Sequence, residues 1–183
     1  GARTWFGHGI FWMIISASLA FTSYWSAYEP YALHSLDAIG YSPTAVQATA
    51  AWHVAAVFGA MSMLLIAAGF TIQNRMTGGK LASESNAALM SYAWTGLVLT
   101  GVILSHTNLA SERAWFELPA IYYVLFTMVG LPLFVNHLLT MAKADSRPVD
   151  TSQWFVVMGF AAMLWIGPAT FLLVGGENLT LQW

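Results

Sequence analysis

Long uncharged apolar runs alternate with short polar stretches along this chain, and that alternation is its first structural signal. The runs fall near positions 5–25, 45–72, 86–106, 115–142 and 153–174. Each is about 20 residues or longer, and at a rise of about 1.5 Å per residue each is long enough to cross a hydrocarbon core of roughly 30 Å. The predicted fold is all-α: one integral membrane bundle of five transmembrane helices over positions 1–183, with no second domain and no internal repeat. The stretch Trp52 to Gly69, WHVAAVFGAMSMLLIAAG, is the span around which the others are arranged, and it carries His53 near one end.

The polar stretches set the boundaries. Ser42-Pro43 reads as an N-cap and first helical position for the second span. Asn74, Arg75, Gly78, Gly79 and Lys80 predict the turn that ends it. Gly130-Leu131-Pro132 and Gly167-Pro168 predict bends within the fourth and fifth spans, because proline removes a backbone donor and crowds the preceding turn. The segment 28–41 is rich in tyrosine and follows Pro30 with Leu33, Leu36 and Ile39 at a helical interval, which predicts a short helix lying in the membrane interface. The first run is read as a retained helix, since further spans follow it instead of a polar mature domain.

Composition narrows the class. Hydrophobic residues make up 58% of the chain and charged residues 8%, where a soluble domain carries about 25% charged, and the mean hydropathy is +0.63. A net charge of −2 with few ionisable groups excludes nucleic acid as a partner, because phosphate binding needs a dense basic face. The absence of cysteine excludes disulfides, iron–sulfur clusters and thioether-linked haem, leaving histidine, methionine and carboxylates as ligands. Five spans place the termini on opposite sides. Arg3, Arg75, Lys80, Lys143 and Arg147 fall on the N-terminal side and only Arg113 on the other, so the positive-inside rule predicts a cytoplasmic N-terminus and an exoplasmic C-terminus. The expected location is a bacterial, archaeal or organellar inner membrane.

No Asp, Glu, Lys or Arg lies inside the five runs apart from Glu117 at the mouth of the fourth. Pumps and ion transporters rely on such groups, so the candidate chemistry passes to histidine. The topology sorts four histidines into two pairs: His53 with His106 toward the exoplasmic face, His8 with His137 toward the cytoplasmic face. Two imidazoles on different helices are what haem b requires for axial ligation of its iron without cysteine, which predicts one or two haems. Ala50, Ala56 and Ala60 share the face of His53, and Gly130 lies seven positions before His137; such small residues admit a flat macrocycle, and equally serve ordinary close helix packing. His34, beside Glu29, Asp37 and Tyr41, is the candidate for a quinone headgroup site, with a solvated interfacial helix as the plainer alternative. Met61, Met63, Met128, Met158 and Met163 are expected to fill the core. Trp5, Trp25, Trp52, Trp115, Trp154 and Trp183 are expected to form interfacial belts, and the deeper Trp94 and Trp165 to face a partner or a pigment.

The first span, FGHGIFWMIISASLAFTSYW, followed by an outer loop and four further spans ending in QWFVVMGFAAMLWIGPATFLLVGG, resembles the five-helix form of haem-copper oxidase subunit III. That resemblance implies a cofactor-free subunit packed against a catalytic one. The histidine arrangement is similar in kind to membrane-anchor cytochrome b subunits, which implies haem and electron transfer.

Three readings follow. The first is an electron-transfer subunit of a respiratory complex, holding haem b and passing electrons between quinone and a partner subunit. The second is a structural subunit whose outer faces meet lipid and other membrane subunits. The third is a pigment-binding photosynthetic subunit, since chlorophyll-type pigments also take histidine ligands. Independent catalysis is not expected, because no nucleophile, carboxylate pair or metal triad is grouped in the sequence.

Overall fold

The computed structural model describes residues 1–29, 43–79, 81–107, 117–143 and 151–180, with side chains described through position 173. Every regular element among them is helical. In chain order these are α1 (Ala2–Tyr28), α2 (Ala45–Thr77), α3 (Glu84–Ser105), α4 (Ala120–Ala142) and α5 (Thr151–Thr180). All five are long and apolar enough to span a membrane, the fifth over Thr151–Leu173. The upper end of the bundle is defined here as the one where α2 and α4 begin, and the lower end as the one where α1, α3 and α5 begin.

The boundaries follow local chemistry. α2 starts with a reciprocal cap in which the Thr44 hydroxyl accepts from the Gln47 N–H and the Gln47 side chain accepts from the Thr44 N–H. The predicted N-cap at Ser42 is thereby corrected to Thr44, the residue whose oxygen reaches the third helical N–H. α2 stops at Gly78, in the left-handed region at φ 66°. It therefore runs one turn past the expected end at position 72, because the polar residues Asn74 and Arg75 continue the helix and only Gly78 ends it. α3 is capped by the Ser83 hydroxyl on the Asn86 N–H. α4 begins at Ala120 instead of near 115, since Pro119 disfavours helical backbone at Leu118. Pro132 and Pro168 both lie inside continuous helices. The interfacial segment predicted over 28–41 lies, past Glu29, outside the described residues.

α2 is the hub of the bundle. It packs along α1, α3, α4 and α5, and α4 packs in addition on α3 and α5. Close approach of α1 and α2 depends on Gly59, where an added Cβ would lie 2.7 Å from the Trp12 ring. The buried core runs through Trp5, Trp12, Met63, Phe70, Trp94 and Leu133.

Midway along α2 the backbone widens to a π-helix over Ala55–Met61. A π turn releases carbonyls from the ordinary ladder, and two of them have found side-chain donors. The Trp94 indole N–H donates to the Phe58 carbonyl at 2.7 Å, and the Ser62 hydroxyl to the Val57 carbonyl at 2.6 Å. Trp94 is thus an internal strut of the bundle, 2% exposed, in place of the partner-facing or pigment-facing residue the sequence predicts.

Two other expectations are corrected. Trp5 is fully buried and donates to the Ala87 carbonyl at 2.7 Å, so it joins α1 to α3 and is not part of a belt. Of the five methionines expected to fill the core only Met63 is fully buried; Met163 packs partly buried against it, and Met61, Met128 and Met158 point outward. A lipid-facing surface accepts an apolar side chain as readily as the interior does, so hydropathy does not force methionine inward.

Candidate functional site

Polar side chains buried in the bundle gather at its two ends. At the upper end Pro119 turns the chain out of α4, which leaves Glu117 off the helix and lets its carboxylate reach back toward α2. His53 sits two turns into α2, where Nδ1 of its ring and Oε1 of Glu117 lie 2.5 Å apart. The two residues are only 7% and 6% exposed. A carboxylate and an imidazole this close, away from water, form a strong hydrogen bond, and each partner would be costly to leave behind alone. Glu117 also lies within electrostatic reach of the Tyr123 hydroxyl, one turn into α4.

His106 caps the upper end of α3. Its Nδ1 bonds the Val102 carbonyl of its own helix at 2.8 Å, and its backbone carbonyl accepts from the Gln47 amide at 3.0 Å. The elements bearing His53 and His106 are thus neighbours, as the predicted pairing requires. Each imidazole nevertheless directs Nδ1 at a protein acceptor.

The lower pair is arranged differently. His8 is on α1 and His137 on α4, two helices without substantial packing between them. The His8 ring stands edge-on to Tyr92 of α3, centroids 4.8 Å apart. The His137 ring lies against Phe160 of α5 at 5.1 Å. His137 is 0% exposed, and neither of its ring nitrogens has a hydrogen-bond partner among the described residues. Its backbone carbonyl accepts from the buried Gln73 amide at 2.7 Å.

Beside it, Asn136 clamps the turn between α2 and α3: its carbonyl oxygen accepts from the Ser83 N–H and its amide donates to the Ser83 carbonyl, both at 2.9 Å. Thr140 accepts from the Ala82 N–H at 2.8 Å.

A haem iron needs open space at a ring nitrogen. Both nitrogens of His137 are enclosed by protein, so a macrocycle there would have to displace the side chains of α5. Two cavities, of about 400 and 340 Å³, lie along the seam between α2 and α5, and neither is lined by a histidine. Among the described residues no three histidine or carboxylate side chains come together as a metal site. His34, the quinone candidate, lies outside the described residues.

Sequence reasoning singled out His53 and noted Glu117 only as the lone carboxylate at a span mouth. It missed their pairing, and it missed Asn136 and Gln73. The available signal was the carboxylate itself: a glutamate at a hydrophobic boundary needs a partner, and the histidines were the candidates. Compared with protein-family models, curated proteins and solved structures, the chain shows no match to any.

Proposed function

We propose that this chain is an integral membrane subunit with its N-terminus cytoplasmic and its C-terminus exoplasmic. In this reading its histidines hold the bundle together and carry no haem. Its outer surface, with Phe155, Trp165 and Leu172 of α5 more than two-thirds exposed, meets lipid and neighbouring membrane subunits of a larger complex. The observation that supports it is the employment of the imidazoles: His137 is enclosed as an aromatic packing residue, His8 is set against Tyr92, and His53 is tied to Glu117. Basic residues on one side of the spans support the orientation.

The electron-transfer reading rests on one contact. A carboxylate on Nδ1 is the arrangement that orients a metal-ligating imidazole, leaving Nε2 to the metal. Haem quantitation decides between the two. Pyridine haemochrome analysis of the detergent-purified chain is expected to give well under one haem per chain. Stoichiometric b-type haem that disappears in His53→Ala would overturn the structural reading. A reporter active only in the cytoplasm, fused at the C-terminus, is expected to stay silent; activity would overturn the orientation.

A further inference from the structure

At the lower end of the bundle a polar cavity of about 610 Å³ opens between the first turn of α1, the last turns of α2 and the start of α3. Arg3 reaches it from α1, Thr71, Asn74 and Arg75 from α2, and Glu84 from α3. Thr71 lies three and four positions before Asn74 and Arg75, which puts the three on one face of α2. Because α1 and α2 pack along each other, the ends of two neighbouring spans bring two guanidiniums to one recess.

Both arginines are exposed, and neither guanidinium has a carboxylate or a hydrogen-bond partner among the described residues. Glu84 borders the same cavity, but its two oxygens are occupied by the Gly1 nitrogen at 2.6 Å and the Leu81 N–H at 3.4 Å. The side chains lining the cavity therefore carry one positive charge in excess, two arginines against one glutamate. Basic residues at span ends orient a chain in the membrane, and Arg75, in the last turn of α2, also suits the helix dipole. Neither role uses the guanidinium N–H donors, which form a planar fork matched to phosphate oxygens.

Height in the membrane selects the anion. Arg3 and Arg75 lie in the terminal turns of two spans, and so at the level of lipid headgroups. Phe6 and Ile72, one turn further into the same spans, are exposed apolar side chains and offer acyl chains a surface next to a phosphate held by the arginines. A lipid with one net negative charge balances the excess on the cavity wall, and a zwitterionic one does not.

We propose that this cavity binds the phosphodiester of one anionic phospholipid of the phosphatidylglycerol type, held between Arg3 and Arg75. The site rests on the reading that the chain spans a membrane; it does not depend on which side the lower end faces or on haem content, which the tests above address separately.

The purified full chain in neutral detergent micelles is titrated with phosphatidylglycerol, and bound lipid is counted by native mass spectrometry. One phosphatidylglycerol should be retained in preference to phosphatidylcholine. Arg3→Gln and Arg75→Gln should each weaken its retention about fivefold, the size expected for one basic residue at a lipid surface. Lys143→Gln removes the same charge at the same end of the bundle from a residue that does not border the cavity, and should change retention less than about twofold. Arg75→Lys keeps the charge and loses the planar fork; it should move retention in the same direction as Arg75→Gln, by less, and serves if a glutamine variant fails to fold.

Equal retention of phosphatidylcholine, or a loss in Lys143→Gln as large as in the arginine variants, would overturn the site and leave only diffuse attraction to anionic lipid. Full displacement by millimolar inorganic phosphate would overturn the lipid assignment and make the cavity a soluble-phosphate site. A chain that stays in solution without detergent would overturn the membrane reading on which the site rests.

Discussion

His53 and His137 are both buried imidazoles on helices that pack at the centre of the bundle, and they are held in opposite ways. His53 has a carboxylate at 2.5 Å on its Nδ1. His137 has Phe160 against its ring and no hydrogen bond to its nitrogens among the described residues. The first is a polar joint between α2 and the start of α4. The second behaves as an aromatic filler between α4 and α5. Burial alone, which is nearly the same for the two, therefore says little about what a membrane histidine does; the partner of its ring nitrogen says more.

The largest effect expected from breaking this contrast is at the joint. Glu117→Ala leaves the His53 imidazole buried without its carboxylate, and about 3–5 kcal/mol of stability should be lost, read as a fall in melting temperature in detergent micelles. His53→Ala should cost a similar amount. The double variant should cost clearly less than the sum, because each single change already removes the shared bond; strict additivity would show that the two side chains are not coupled.

Next in size is Asn136→Ala, which strips both hydrogen bonds from the turn at Ser83. It should cost about 1–3 kcal/mol and increase proteolysis of the α2–α3 turn; an unchanged cleavage rate would argue against the clamp. Trp94→Phe keeps most of the packing but orphans the Phe58 carbonyl that the π turn exposes. About 1–2 kcal/mol should be lost, and a variant as stable as the parent would mean that another donor satisfies that carbonyl. At the small end, Met128→Leu changes an outward-facing side chain and should stay within about 0.5 kcal/mol; a larger loss in the isolated chain would place Met128 in an internal contact.

The contrast also shows how far the sequence could be read. Five spans and the central place of α2 were legible, because an uncharged run of that length has few other uses. The end of α2 was read a turn too early, at position 72, because Asn74 and Arg75 resemble turn residues, whereas the helix stops only at Gly78 with its positive φ. The Glu117–His53 joint was not legible as a pair, since the two residues are 64 positions apart and Pro119 redirects the chain between them. Nor was the π turn, whose residues, AAVFGAM, read as ordinary helix.

Helix faces were the least legible feature. In water an apolar residue marks the inside, but in this bundle Met61 and Met158 lie on the outside, where a membrane would accept them, while the core takes His137, Gln73 and Asn136. The rotation of each helix was consequently hidden, and with it the buried positions of Trp5 and Trp94. Polar residues within spans were better markers of the inside than apolar ones, because hydrocarbon leaves them nowhere else to bond.

The most direct test of the account replaces each imidazole with a ring that packs but forms no hydrogen bonds. His53→Phe and His137→Phe are compared by melting in the same micelles. A marked loss is expected for His53→Phe, which strands the Glu117 carboxylate, and a change of less than about 1.5 kcal/mol for His137→Phe, where a ring of similar shape replaces one whose nitrogens make no hydrogen bond among the described residues. Equal losses at the two positions, or a larger loss at His137, would contradict it and return His137 to the list of ligand-binding residues.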